Sequence, residues 1–150
     1  MKFRIEYRNN IEERVLTYIE EDYSFDMEPI VKQIDFELIL NKLSLSVLNN
    51  RIIQLWGYCG LNKNMKSNYE VPKYKKGILV VENYLEHSFA YGINGKDVPI
   101  YVNIETGWVC IGNPTRPGNA VEFITNCVAV VNEQQQLISL WLKPNQLPMI

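Results

Sequence analysis

Apolar and polar residues alternate with a period of two along much of the chain, and the alternation breaks at asparagine, glycine and proline. Phe3, Ile5 and Tyr7 alternate with charged neighbours, the pattern of a short half-buried strand. Ile34, Phe36, Leu38 and Leu40 repeat it. Leu43, Leu45 and Val47 do so again, with Asn41-Lys42 between them at hairpin length. Asn49-Asn50 then separates a further run, RIIQLWGY, over residues 51–58. These runs predict three consecutive antiparallel strands, a meander. Residues 78–81 predict a short buried strand. Residues 89–93 lead into Asn94-Gly95, the strongest hairpin signal in the chain, with 98–104 as the return strand. Glu105-Thr106-Gly107 is the next turn and 108–111 the next strand. A closing hairpin is predicted from 128–131 and 137–142 around a turn at 132–136.

Three segments read as helical. Ile11, Val15, Leu16, Tyr18 and Ile19 recur at helical spacing. Asn9 and Asn10 before them suit an N-cap, and Glu12 and Glu13 suit a first turn, where the helix dipole favours anions. The prediction is a helix over 11–22, with a strand as its rival because VLTYI has high β-propensity. Asp26 as a cap and Pro29 early in the turn predict a second helical turn over 26–31. Gly118-Asn119 caps a third over 120–125, with Val121, Phe123 and Ile124 available for packing. Residues 83–88 fit a helical turn or a loop. Residues 59–76 are polar, lysine-rich and aperiodic, and form the longest loop, of a length at which loops tend to be functional or mobile. The expectation is a single α+β domain over residues 1–150, a mostly antiparallel sheet of six or more strands with a few short helices on one side.

Composition fits this: 150 residues, 47% of them hydrophobic, are enough for one domain with its own core. The net charge of −2 argues against a nucleic-acid binder, which brings a basic excess. The charge is unevenly spread. Residues 1–37 hold ten acids against five bases, whereas 63–76 hold five lysines and one acid, Glu70. Both segments fit solvated surface. The first also fits an acidic face that meets a basic macromolecule.

Catalytic chemistry finds little support. The three cysteines, Cys59, Cys110 and Cys127, are widely and irregularly spaced, with no C-x-x-C pair, so neither a disulfide framework nor a zinc site is indicated. A thiol nucleophile needs a base, and the chain has one histidine, His87. Pairing of Cys110 or Cys59 with His87 through the fold stays open. Cys110, however, stands between Val109 and Ile111 in a predicted strand, where cysteine behaves as a small hydrophobe. The loop NPTRPGN after it has neither the P-loop nor the dinucleotide-binding glycine pattern. Its two prolines remove backbone donors that a phosphate cradle needs, so it reads as a rigid turn. There is no G-x-S-x-G and no metal-ligand spacing. We expect no catalytic residue, no metal and no cofactor. Trp56, Trp108 and Trp141 stand in apolar strands and read as core. The segment NYEVPKYKK interleaves Tyr69, Lys73, Tyr74, Lys75 and Lys76, which keeps a small RNA-binding module as an alternative, ahead of a Cys/His enzyme. The N-terminus MKFRIEYRNN carries no apolar signal region and no apolar run is long enough to span a membrane. The expected compartment is the cytoplasm, with no membrane partner.

The segment GWVCIGNPTRPGNAVEFITNCVAVVNEQQQLISLWLKP, residues 107–144, together with IQLWGYCG, residues 53–60, resembles the immunity proteins of bacterial polymorphic-toxin and contact-dependent growth inhibition systems. The resemblance lies in the order strand, Pro/Gly turn, short helix, then a hairpin ending in an aromatic-rich strand. It implies a protein that binds a cognate toxin domain and occludes its active site. The toxin is expected to be a nuclease, an RNase foremost, with no direct contact between this chain and nucleic acid. A nuclease cleft is basic, so an acidic partner complements it. On that basis Glu20, Glu21, Asp22 and Asp26 are expected to supply charge, and Tyr18, Tyr23 and Phe25 aromatic anchors. The lysine-rich loop over 63–76 is the rival contact surface.

Overall fold

The computed structural model describes all 150 residues. In chain order the strands are β1 (Phe3–Tyr7), β2 (Val15–Ile19), β3 (Ser24–Glu28), β4 (Phe36–Leu40), β5 (Leu43–Leu48), β6 (Arg51–Tyr58), β7 (Lys75–Val81), β8 (Ala90–Gly92), β9 (Ile100–Asn103), β10 (Trp108–Gly112), β11 (Asn119–Ile124), β12 (Cys127–Val131) and β13 (Leu137–Leu142). The fold is therefore nearly all-β, with 48% strand and 4% helix, and the α+β expectation is corrected. The only helical pieces are two 3₁₀ turns, Glu20–Asp22 and Lys63–Met65.

Each expected helix has a physical reason for being a strand. In 11–22 the β-branched Val15, Thr17 and Ile19 stand on one side of β2, while Leu16 and Tyr18 are buried on the other. Period two explains this run as well as period 3.6 does, and pairing with β3 decides it (Val15↔Glu28 through Ile19↔Ser24). The turn expected over 26–31 is the end of β3. The helix expected over 120–125 is β11, buried on both faces from Ala120 to Ile124, so its sequence shows no alternation.

The strands join in one mixed sheet, ordered β8-β4-β5-β6-β7-β11-β12-β13-β10-β9, with β1 on β7 and the β2–β3 hairpin on β6. Most pairings are antiparallel, but β4–β8 and β7–β11 are parallel. The predicted meander β4–β5–β6 forms. Its Asn49-Asn50 turn has both residues at positive φ, 52° and 61°, which matches the twist of the flanking strands. Asn94-Gly95 is not a hairpin tip, because β8 pairs with β4 and β9 with β10. The Asn94 side chain is used instead to tie this loop to the β4–β5 turn: its Nδ2 donates to Asn41 Oδ1 at 2.9 Å, and its Oδ1 accepts from Asn41 N at 3.2 Å.

Two apolar clusters result. The larger, of 28 residues, takes inward side chains from the first half (Phe3, Phe25, Phe36, Leu45, Leu55) and from β10–β13 (Ile111, Phe123, Leu140), so the curved sheet encloses a shared core. The smaller lies on the opposite face of β10–β13 and holds Trp108, Cys110, Val128, Val130 and Trp141. The long loop covers it: Tyr69 packs edge-on against Tyr101, Tyr74 against Trp108, and Ser67 N donates to Val102 O at 2.8 Å. The halves meet at β7, which pairs with β11 at Lys75 and Lys76 and with β1 from Gly77 onward. Gly77 is required there, since a Cβ would stand 2.4 Å from Glu6 O.

Candidate partner-binding face

The β2–β3 hairpin tip carries three carboxylates in one 3₁₀ turn, Glu20, Glu21 and Asp22, all exposed. Tyr23 closes the turn in the left-handed region (φ 52°). Its N–H donates to Glu20 O at 3.3 Å, and its carbonyl accepts from Cys59 N at 2.8 Å, which fixes the tip to the end of β6. Neither these acids nor Asp26 forms an ion pair, while every arginine–carboxylate pair lies elsewhere, on Glu6, Glu12 and Glu82.

Alternation along β3 sends Ser24, Asp26 and Glu28 outward and buries Phe25 and Met27. On neighbouring β6 the outward residues are Trp56 and Tyr58, 48% and 50% exposed. Tyr23, 55% exposed, leans on Tyr58 with ring centroids 6.5 Å apart, and Lys42 Nζ sits 5.3 Å over the Tyr58 ring. Beside this pair a 390 Å³ cavity opens between Tyr23, Tyr58, Asn62, Met65 and Asp97. The tip, Asp26, Tyr58 and Trp56 thus form one continuous acidic and aromatic surface.

The face continues across β5 and β4 as a polar floor. Glu37 takes hydrogen bonds from Ser44 Oγ (2.6 Å), Ser46 Oγ (2.9 Å) and Trp56 Nε1 (3.4 Å). Gln54 Nε2 donates to Ser46 Oγ at 3.3 Å and to Val31 O at 3.0 Å, while its Oε1 accepts from Val31 N at 2.9 Å. Those bonds hold residues 29–34 as a strap across the face. Arg14 pins the strap's start, donating to Pro29 O and Ile53 O, both at 2.7 Å. A 330 Å³ cavity lies between strap and floor, lined by Asp26, Ile30, Lys32, Glu37, Gln54 and Trp56 among others.

Of the seven residues expected at the interface, five are exposed and close together: Glu20, Glu21, Asp22, Tyr23 and Asp26. Two are not available. Phe25 is 1% exposed in the main core, and Tyr18 is buried with its hydroxyl donating to Cys59 O at 2.8 Å. Tyr18 is a phenol in apolar surroundings, and burial pushes its pKa up to about 12. Sequence reasoning missed Trp56, Tyr58 and Glu37 as members of this face. The signal was present in the alternate positions Glu37, Ser44, Ser46 and Gln54, polar residues opposite the core face of three predicted strands.

The rival sites come apart. Cys59, Cys110 and Cys127 are all buried, and burial raises the first two thiols to about 12 and the third well above its ordinary value. His87 is exposed beside Asp35 (3.8 Å) and Phe36, whereas all three thiols are buried. No group of three or more His, Cys, Asp or Glu side chains has metal-binding geometry. In the lysine-rich segment, Tyr69 is committed to Tyr101, but Tyr74, Lys75 and Lys76 share an open cleft with Tyr7 and Arg8. No helix is long and apolar enough to cross a membrane. Among known proteins, no family model and no characterised protein matches the chain.

Proposed function

We propose that this chain is a non-catalytic binding protein of the bacterial cytoplasm that captures a cognate toxin domain and blocks its active site, the toxin being a nuclease and an RNase foremost. One observation carries the reading. Three unpaired carboxylates project from a hairpin tip that is continuous with half-exposed Tyr23, Tyr58 and Trp56. Unpaired surface acids steer a basic partner, and adjacent exposed aromatics supply the anchors that hold it. The short helix that entered the resemblance to immunity proteins is strand β11, so the proposal stands on this face and not on the order of elements. The test is direct: mix the chain with the toxin domain encoded by the neighbouring gene and follow RNA or DNA cleavage. Stoichiometric inhibition is the expected result. Full cleavage activity in the presence of excess chain contradicts the proposal. A second reading, binding of single-stranded RNA, draws on the cleft shared by Tyr7, Arg8, Tyr74, Lys75 and Lys76. It predicts a gel shift that weakens steeply with salt.

A further inference from the structure

The Glu37 cavity has features that an ordinary polar sheet face does not need. Ser44, Ser46 and Gln54 are buried; Gln54 Nε2 donates to Ser46 Oγ, and both serine hydroxyls donate to Glu37, a task a neutral acceptor could also perform. Glu37 adds a full negative charge. Its three donors, Ser44, Ser46 and Trp56, are neutral, and no arginine, lysine or histidine of the chain pairs with it. Neutral donors fix the direction of a carboxylate without cancelling its charge. Two carboxylate oxygens offer about four acceptor positions; three hydrogens occupy them, the Ser46 hydroxyl shared between both oxygens at 2.9 and 3.0 Å, so room remains for one further donor. With no counter-charge in the chain, the carboxylate is open to an ion pair with a cation from outside.

The walls select the kind of cation. Trp56 is half exposed and held by its bond to Glu37, which gives the cavity a fixed aromatic side. Asp26 adds a second carboxylate at the rim, and Lys32 is the one cation of the lining. A planar guanidinium stacks on an indole face while one of its N–H groups donates to the carboxylate, whereas an ammonium offers a point charge only. We propose that the 330 Å³ cavity is a receptor for an arginine side chain presented by the protein partner, and this rests on the reading of the acidic face as the partner surface. Lys32 is the internal competitor at the rim.

The test has two arms. In the first, Nα-acetyl-arginine methylamide is titrated into the chain while the indole N–H resonance of Trp56 is followed by NMR, its assignment fixed by Trp56→Phe. A saturable shift with a dissociation constant on the order of millimolar is expected for so small a probe. The lysine analogue should bind more weakly. Glu37→Gln, which keeps an acceptor for the two serines, should weaken the arginine probe about tenfold, since a charge-assisted bond is replaced by a neutral one. Lys32→Met, at an exposed position, should strengthen it, and this variant serves if Glu37→Gln does not fold. No saturable shift in the parent protein, or equal binding by Glu37→Gln, overturns the inference. In the second arm the toxin domain replaces the probe. Glu37→Gln should raise its dissociation rate about tenfold with little change in association rate. If charge reversal at the hairpin tip slows toxin association while Glu37→Gln leaves both rates unchanged, the arginine receptor falls and the acidic face stands. If the probe binds through Glu37 and the toxin does not bind at all, the cavity's chemistry stands and the toxin reading falls.

Discussion

Burial sets the chemistry of the titratable residues inside this fold. It holds Cys59 and Cys110 at about 12 against an ordinary 9.0, and Tyr18 at about 12 against 10.0. The sign of the consequence follows from proton linkage. Above pH 9 the unfolded thiols lose protons that the folded ones keep, so the contribution is complete below pH 9 and is lost as pH rises toward 12. Thermal melts should therefore show a flat midpoint up to about pH 9 and a steady fall above it. At pH 8 all three thiols should react with a maleimide only as fast as the protein opens. Rapid labelling of a single cysteine at that pH would return the Cys/His enzyme to consideration. Residues 18–26 divide in the same way between core and surface. Phe25→Ala should cost about 3–5 kcal/mol in a denaturant melt, the range for removing a buried ring. Asp22→Lys, on the exposed tip, should stay within about 0.5 kcal/mol of the parent. Had Phe25 been a contact residue, the ordering of stability and binding effects would be reversed.

At the scale of elements, asparagine proved the most informative residue. Asn41, Asn49, Asn50 and Asn126 all sit at positive φ in hairpin turns, a conformation asparagine tolerates better than most residues. The meander 34–58 and the closing hairpin were legible because turn chemistry and period-two alternation agreed there. The helices were misread where that agreement failed. Segment 11–22 satisfies both periods, and β11 is buried on both faces, so only long-range pairing settles either one. The Asn94-Gly95 signal was real turn chemistry but does not join paired strands, because β8 and β9 take partners distant in sequence. The acidic half of the candidate face was legible from charge alone. Its aromatic half was not, since Trp56 and Tyr58 look the same in sequence whether the outward face of β6 is covered or bare. Gly77 gives this level its own prediction. With its Cβ direction blocked by Glu6 O at 2.4 Å and by Val121 Cγ2 at 2.9 Å, Gly77→Ala should destabilise the fold by about 1–3 kcal/mol, the range for overpacking. Wild-type stability in that variant would mean that β1 and β7 do not cross as closely as described.

For the whole molecule the net charge of −2 understates the asymmetry that matters. The carboxylates of the tip and of β3 gather on one face. A lysine and arginine cleft, formed by Arg8, Lys75 and Lys76, opens at the N-terminal end of β7. On the proposed function, this asymmetry presents a signed surface to the toxin domain, and the rate of encounter should respond to salt more than the fold does. The most direct measurement is the association rate with the toxin domain, by stopped flow at low and at physiological ionic strength, for the parent and for the variant Glu20→Lys, Glu21→Lys, Asp22→Lys. If the acidic tip steers the partner, the parent's association rate falls with added salt. The variant should then be at least about tenfold slower at low salt and nearly salt-independent, with an unchanged circular dichroism spectrum. Equal rates and equal salt dependence for parent and variant would contradict the assignment of this face.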